Sequence, residues 1–341
     1  MATSDWQNLI TDVPGILVGN AEDHTVKTGS TVLLADKPMV ASVAILGGAP
    51  GTRDIALLEP HQTVDQIDAL VLSGGSAFGL DATSGVQSFL RRQGKGFQVY
   101  DQHIPIVPTA ILFDMVNGGN KDWGDPPPYR NLGYQAAQNA GKTFAIGTAG
   151  AGVGALTADL KGGLGSASAF TSSGTAVGAL VAINPLGRVT QGMSPHFWAA
   201  PFERNGEFGA KGIPSSPPKQ WSEPVTKFSL SQSDPSNQSN TTIAIIATDL
   251  ILSKAEAKRI AIAAHDGISR AIYPSHTPYD GDLVFVTSTG RRQAENKAAE
   301  LLELGVIAAN TLTRAIARGV YEATPQPNDL LPTWQQNYAH L

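Results

Sequence analysis

The sequence predicts a closely packed α/β protein, and three observations carry that prediction. Short apolar runs rich in Val, Ile and Thr alternate along the chain with segments of helical period. Glycine is abundant, with 36 residues, many at the exits of those runs where tight turns and close backbone approaches need them. Charged residues make up only 16% of the chain, too few for a disordered or coiled-coil protein. At 341 residues the chain is long enough to bury a large core and is read as one domain over 1–341.

The elements follow in order. Gly29–Leu34 and Val40–Leu46 read as a pair of strands, and Ala69–Ser73 as a third that runs through Gly74-Gly75-Ser76-Ala77-Phe78-Gly79 into a helix ending near Arg92. Ala110–Phe113 is strand-like and Tyr134–Ala140 helical. Ser166–Phe170 and Val177–Asn184 are spaced as paired strands. Prolines and serines gather between Gly206 and Asn240, the only long stretch without periodicity, so 206–240 is expected to be a linker. Beyond it Thr241–Thr248 reads as a buried strand. Ser253 and Glu256 stand at capping-box spacing and open a helix to about Ile272. Asp282–Thr287 is a further strand, and Arg291–Arg318 a last helix with a break or kink at Gly305. The proline-containing tail from Thr324 is expected to be loosely held or used between subunits.

Charge and composition exclude several function classes. A net charge of −5 argues against nucleic acid or an anionic membrane as partner. With no cysteine, disulfides, thiolate zinc sites and cysteine nucleophiles are ruled out. The seven histidines form no metal-ligand spacing, and His265-Asp266, in a helix, is expected to be solvated or capping. No cofactor and no metal is therefore expected. The absence of an export-like N-terminus or a long apolar run points to a cytoplasmic protein.

The candidate chemistry lies at Asn240-Thr241. Here a polar stretch gives way to Thr241-Thr242-Ile243-Ala244-Ile245-Ile246, so a cut before Thr241 would spare the core. The new terminus would offer a hydroxyl beside its own α-amine, whose pKa near ~8 lets it act as a base. The ordinary alternative is a threonine that merely opens a strand. Asp280-Gly281-Asp282 places two acids at i and i+2, able to face one point, though an Asp/Gly turn reads the same way. Asn184, before Pro185, is placed to donate to an oxyanion, or simply to make a turn. Gly141-Lys142-Thr143 lacks the first glycine of a P-loop, Ala136 standing there instead. The Gly74–Gly79 turn misses both the dinucleotide fingerprint and the Gly-x-Ser-x-Gly elbow.

Five landmarks together resemble the P1 family of self-processing peptidases and amidases. They are Ile10–Gly19, Gly48–Asp54, Leu72–Leu80, Lys161–Ser166 and Asn240-Thr241-Thr242, in order along nearly the whole chain. That family includes the β-peptidyl aminopeptidases, the D-stereospecific aminopeptidase DmpA and the 6-aminohexanoate-oligomer (nylon oligomer) hydrolase. The resemblance implies a four-layer αββα sandwich like that of the Ntn hydrolases. It also implies self-cleavage into an α chain, 1–240, and a β chain, 241–341. The family's nucleophile falls on Thr241, its oxyanion-side asparagine on Asn184, its lysine on Lys161, and its acidic pair on Asp280 and Asp282. Threonine and Asp-Gly-Asp, rather than serine and Ser-x-Glu, resemble the nylon-oligomer branch. One departure stands at Phe113, where members of the family can carry an active-site tyrosine.

The expected reaction is amide hydrolysis through an acyl-enzyme on Thr241, with short peptides or β- and ω-amino-acid amides as substrates. Expected partners are such a substrate and further copies of the chain, as a tetramer or larger. Two rivals remain: a hydrolase built on Ser76, and a catalytically silent member kept as a binding or scaffold protein.

Overall fold

A computed structural model describes residues 6–231 and 240–341. Among these residues eleven strands and six α-helices follow in chain order. The first half contains β1 (Ile16–Asp23), β2 (Thr28–Ile45), β3 (Gly51–Arg53), β4 (Gln66–Ser73), α1 (Ala82–Arg92), β5 (Phe97–Val99), β6 (Gln102–Ile104), β7 (Thr109–Ile111) and α2 (Tyr129–Gln138). The second contains β8 (Gly163–Phe170), β9 (Ala176–Asn184), α3 (Lys227–Ser231), β10 (Thr241–Leu250), α4 (Lys254–Ala271), β11 (Leu283–Arg292), α5 (Lys297–Tyr321) and α6 (Trp334–Tyr338).

Nine of the strands form one hydrogen-bonded sheet, eight along the path β3-β7-β4-β2-β11-β10-β9-β8 and β1 beside β2. The path folds across β2. Its first part pairs with β1 and β4 and its last part with β11, β4 still reaching Met39 and Val40 past an interruption at the exposed Asp36-Lys37-Pro38. A proline has no N–H for the ladder, so a strand bends where it stands. Sequence reading placed two strands here; the chain makes one, continued through that bend.

Strand alternation then builds three cores. Ile243, Ile245, Leu180, Leu283, Phe285, Leu70 and Leu72 point into a middle core between the two sheet layers. Their neighbours Ala244, Ile246, Val181, Val284 and Val286 face an outer core under α4 and α5. Ala69, Val71, Val32 and Leu34 face the other outer core under α1 and α2. The architecture is therefore the four-layer αββα sandwich. Each isoleucine of β10 contributes about 1.5–3 kcal/mol by burial.

Helix α4 begins as the sequence requires: Glu256 N–H donates to Ser253 Oγ and Ser253 N–H to Glu256 Oε2. Helix α5 runs through Gly305 without a break. Several expectations need correction. The tail is not loose: Trp334 is buried against Phe197 and Tyr321, and Asp329 pairs with two lysines. The expected linker contains buried Phe208 and helix α3, while 232–239 lies outside the described residues. His265 is buried, not solvated, with Nε2 at 3.0 Å from Ala44 O.

Candidate active site

Thr241 is the first residue of β10, a strand held antiparallel by β9 and parallel by β11. Its register partner is Asn184, the last residue of β9, and Ile243 pairs with Leu283 at the head of β11. The two neighbouring strands thus bring Asn184 to one side of Thr241 and Gly281, between the two acids, to the other. Thr241 is buried, with Oγ1 at 2.5 Å from the carbonyl oxygen of Asn240. Asn240 is itself fixed: it bridges to Asp280, its N–H donates to Tyr279 O (3.3 Å), and its O accepts from Gly281 N–H (2.7 Å). Its carboxamide is buried with neither atom hydrogen-bonded to any described residue.

The acid pair surrounds this junction. Asp282 Oδ1 accepts from Thr242 N–H at 2.8 Å, while Oδ2 accepts from the backbone N–H (3.1 Å) and Nδ1 (2.8 Å) of His276. Asp280 Oδ1 accepts from Leu186 N–H (3.1 Å), and Oδ2 from Thr277 N–H (2.9 Å) and Oγ1 (2.6 Å). All four carboxylate oxygens thus accept from the protein itself and tie the heads of β10 and β11 to the loops beside them. Burial pushes the Asp280 carboxyl above its ordinary range, and the nearby charge of Asp282 pushes it the same way. No side chain fits between the two acids, because a Cβ on Gly281 would stand 2.7 Å from Thr241 Oγ1.

Asn184 is oriented by its partners. Oδ1 accepts from Leu156 N–H (3.0 Å) and lies 3.2 Å from Lys227 Nζ, so Nδ2 is the end that donates to Phe113 O (3.0 Å). A carboxamide nitrogen has a second proton, free for another acceptor. Phe113 therefore enters through its backbone, which a change from tyrosine leaves in place. The side chain of Lys227 is half-buried as a whole, yet burial of its amine lowers the pKa to about 7, against the pull of Asp280. Asn184, Asn240 and Lys227 border a cavity of about 440 Å³ whose other walls include Phe113, Leu156, Leu330 and Leu331.

Lys161 does not join this cluster through its side chain. Its Nζ is buried and bound to Asp329 Oδ2 at 2.7 Å, whose other oxygen holds Lys27. The backbone of Lys161 bridges to Leu156, which supplies the N–H that orients Asn184. Ser76 is half-exposed and at φ 52, and its hydroxyl makes no hydrogen bond among the described residues. Sequence reading missed His276 and Lys227. His276 stands six residues before Asp282 in a proline-rich loop, and Lys227 in the expected linker, so neither has a periodic signal.

Comparison with known proteins bears on the family and the fold. The description "Peptidase family S58" matches residues 8–328. An uncharacterized aminopeptidase of Mycobacterium tuberculosis is 39% identical, over 97% of this chain and 98% of its own. A 6-aminohexanoate-oligomer endohydrolase of Kocuria sp. is 28% identical, over 82% of this chain and 74% of its own. Among solved structures, a Burkholderia sp. beta-aminopeptidase superposes with TM-score 0.65 at 20% identity, covering 98% of this chain and 92% of that one. The L-aminopeptidase D-Ala-esterase/amidase of Ochrobactrum anthropi, described as a variant of the Ntn hydrolase fold, gives 0.64 at 20%, covering 95% and 89%. At that identity the two structures speak for the fold.

Proposed function

The chain belongs to peptidase family S58, and on that premise we propose that it cuts itself between Asn240 and Thr241 and then hydrolyses short amides with Thr241 as nucleophile. The observation that carries the reading is the Asn240–Thr241 bond itself. It is buried at a strand head, its carbonyl oxygen 2.5 Å from the hydroxyl that would attack it, and its flanks are pinned by Asp280–Asp282.

Cutting releases the Thr241 α-amine, which supplies a base beside the nucleophile. In turnover the hydroxyl attacks the substrate carbonyl, its proton passes to that amine, and the amine returns it to the leaving nitrogen as the acyl-enzyme ester forms. Water then hydrolyses the ester by the same proton route in reverse. Asn184 Nδ2, aimed by Leu156 and Lys227, is the side-chain donor placed to meet the oxyanion. Asp282 acts as a positioning residue, holding Thr242 N–H and hence the direction of the new terminus. The largely apolar cavity beside Asn240 fits the acyl part of a short peptide or a β- or ω-amino-acid amide.

Intact-mass measurement of the purified protein tests the reading. The expected species are residues 1–240 and 241–341, with Edman sequencing of the smaller beginning at Thr241. A chain that stays whole after long incubation, or a different new terminus, overturns it.

A further inference from the structure

The donor for the self-cleavage step differs from the one proposed for substrate turnover. Asn184 Nδ2 donates to Phe113 O, and no hydrogen bond joins it to the carbonyl of Asn240 among the described residues. That carbonyl instead accepts from Gly281 N–H at 2.7 Å, besides the Thr241 hydroxyl. We propose that the backbone N–H of Gly281 is the oxyanion donor of self-cleavage, a catalytic group of the uncut chain supplied by the residue between the two acids. This inference rests on the reading of Thr241 as a self-cleaving nucleophile.

The step balances as follows. Thr241 Oγ forms a bond to the Asn240 carbonyl carbon, and the carbonyl π pair moves to its oxygen, which becomes an oxyanion facing Gly281 N–H. The oxyanion collapses, the carbon–nitrogen bond breaks, and the proton lost from Oγ ends on the freed nitrogen, leaving an ester and an α-amine. Water then cleaves the ester into the Asn240 carboxylate and the Thr241 hydroxyl.

Geometry favours this donor over an incidental ladder bond for two reasons. It already donates, at 2.7 Å, to the carbonyl oxygen that becomes the oxyanion, and its position is fixed before reaction. Asp280 N–H donates to Thr277 O, Asp280 O accepts from Ala49 N–H (2.9 Å), and both Asp280 carboxylate oxygens are held. The same residue must also be glycine. A Cβ there would meet Thr241 Oγ1 at 2.7 Å, Ala49 O at 2.8 Å and Thr241 Cγ2 at 3.2 Å, so any side chain would press on the nucleophile. The middle residue of Asp280-Gly281-Asp282 thus unites a donor with the space the nucleophile occupies.

A backbone N–H can be deleted without adding a side chain by making the full chain in cell-free translation with glycolic acid in place of Gly281. The amide N–H becomes an ester oxygen. A control chain carries lactic acid in place of Ala49, which removes the N–H that holds Asp280 O but leaves Asn240 O untouched. Cutting is followed by intact mass in wild type and both variants. The glycolate chain is expected to cut about 10²-fold more slowly than wild type, the usual effect of removing one oxyanion donor, and the control within about threefold. Equal slowing of both chains, or wild-type cutting by the glycolate chain, overturns the inference. A wild-type chain that never cuts overturns instead the reading it rests on.

Discussion

Two hydroxyls stand at ends of core strands in this molecule, Ser76 beyond β4 and Thr241 at the head of β10. Ser76 is the more reachable. It is half-exposed, follows Gly75 at φ 89, and has a left-handed backbone of its own. Thr241 is almost wholly buried. Yet the hydroxyl of Ser76 touches no base or acid among the described residues, whereas Thr241 follows a carbonyl that accepts from Gly281 N–H, has Asn184 as its register partner, and precedes Thr242, whose N–H the Asp282 carboxylate holds. A glycine-rich turn makes a serine prominent; convergent partners from several strands make a hydroxyl reactive.

The sharpest way to break that comparison is to remove each hydroxyl. Thr241→Ala is expected to stay a single chain and to lose turnover by roughly 10⁴-fold or more, as for a lost nucleophile. Ser76→Ala should cut and turn over within about threefold of wild type. The reverse pattern, by intact mass and a p-nitroanilide assay, would move the chemistry to Ser76.

Asp282→Asn is expected to come next. The carboxamide has one acceptor for two sets of donors, so either Thr242 N–H or the His276 donors face an NH₂ group. A buried donor left without an acceptor costs about 1–3 kcal/mol, and the cutting rate should fall at least ~10-fold as the strand head loses its aim. Thermal unfolding and a time course of intact mass measure the two effects. Wild-type values in both would leave Asp282 without a role at the junction.

Asp280→Asn sharpens the comparison through pH. Burial, then the charge of Asp282, raises the Asp280 pKa above its ordinary value of 3.8, so the folded chain holds this proton more tightly than the unfolded one. The stability due to that difference is full below 3.8 and is lost as pH rises through the raised value. Wild type should therefore lose stability against Asp280→Asn over that window in denaturant unfolding. Parallel stability profiles would contradict the raised pKa.

The smallest effect concerns substrate amines. A pair of acids can hold a substrate ammonium, but here all four oxygens already accept from the protein. N-acetylation of a short substrate should change kcat/KM by less than about tenfold. A larger loss would return the pair to amine recognition.

What the sequence made legible follows the range of the forces involved. β10, the β8–β9 pair and α4 were readable because alternation, turn spacing and the Ser253/Glu256 box are local signals. The continuity of β2 through Pro38 was not, because it is set by partners on β1, β4 and β11. The docking of Trp334 depends on Phe197 and Tyr321 and leaves no trace in its own segment. At the site, Thr241, Asp280 and Asp282 were found by chemistry and spacing. His276 and Lys227 were not, since only folding brings a loop and a short helix to that point. Lys161 shows the converse: its position was legible, but its amine turns to Asp329.

The place of β10 between β9 and β11 has a consequence for the life of the protein. A cut before Thr241 would make this central strand the leading end of a separate polypeptide, its alternate residues still filling two cores. The freshly made protein folds as one chain, in a unimolecular reaction independent of concentration. The mature protein, once unfolded, would have to find its other half by collision, with central strand β10 divided from its neighbour β9. Recovery would then depend on protein concentration, and the uncut precursor would be the form that refolds on dilution. Maturation would make folding a once-only event.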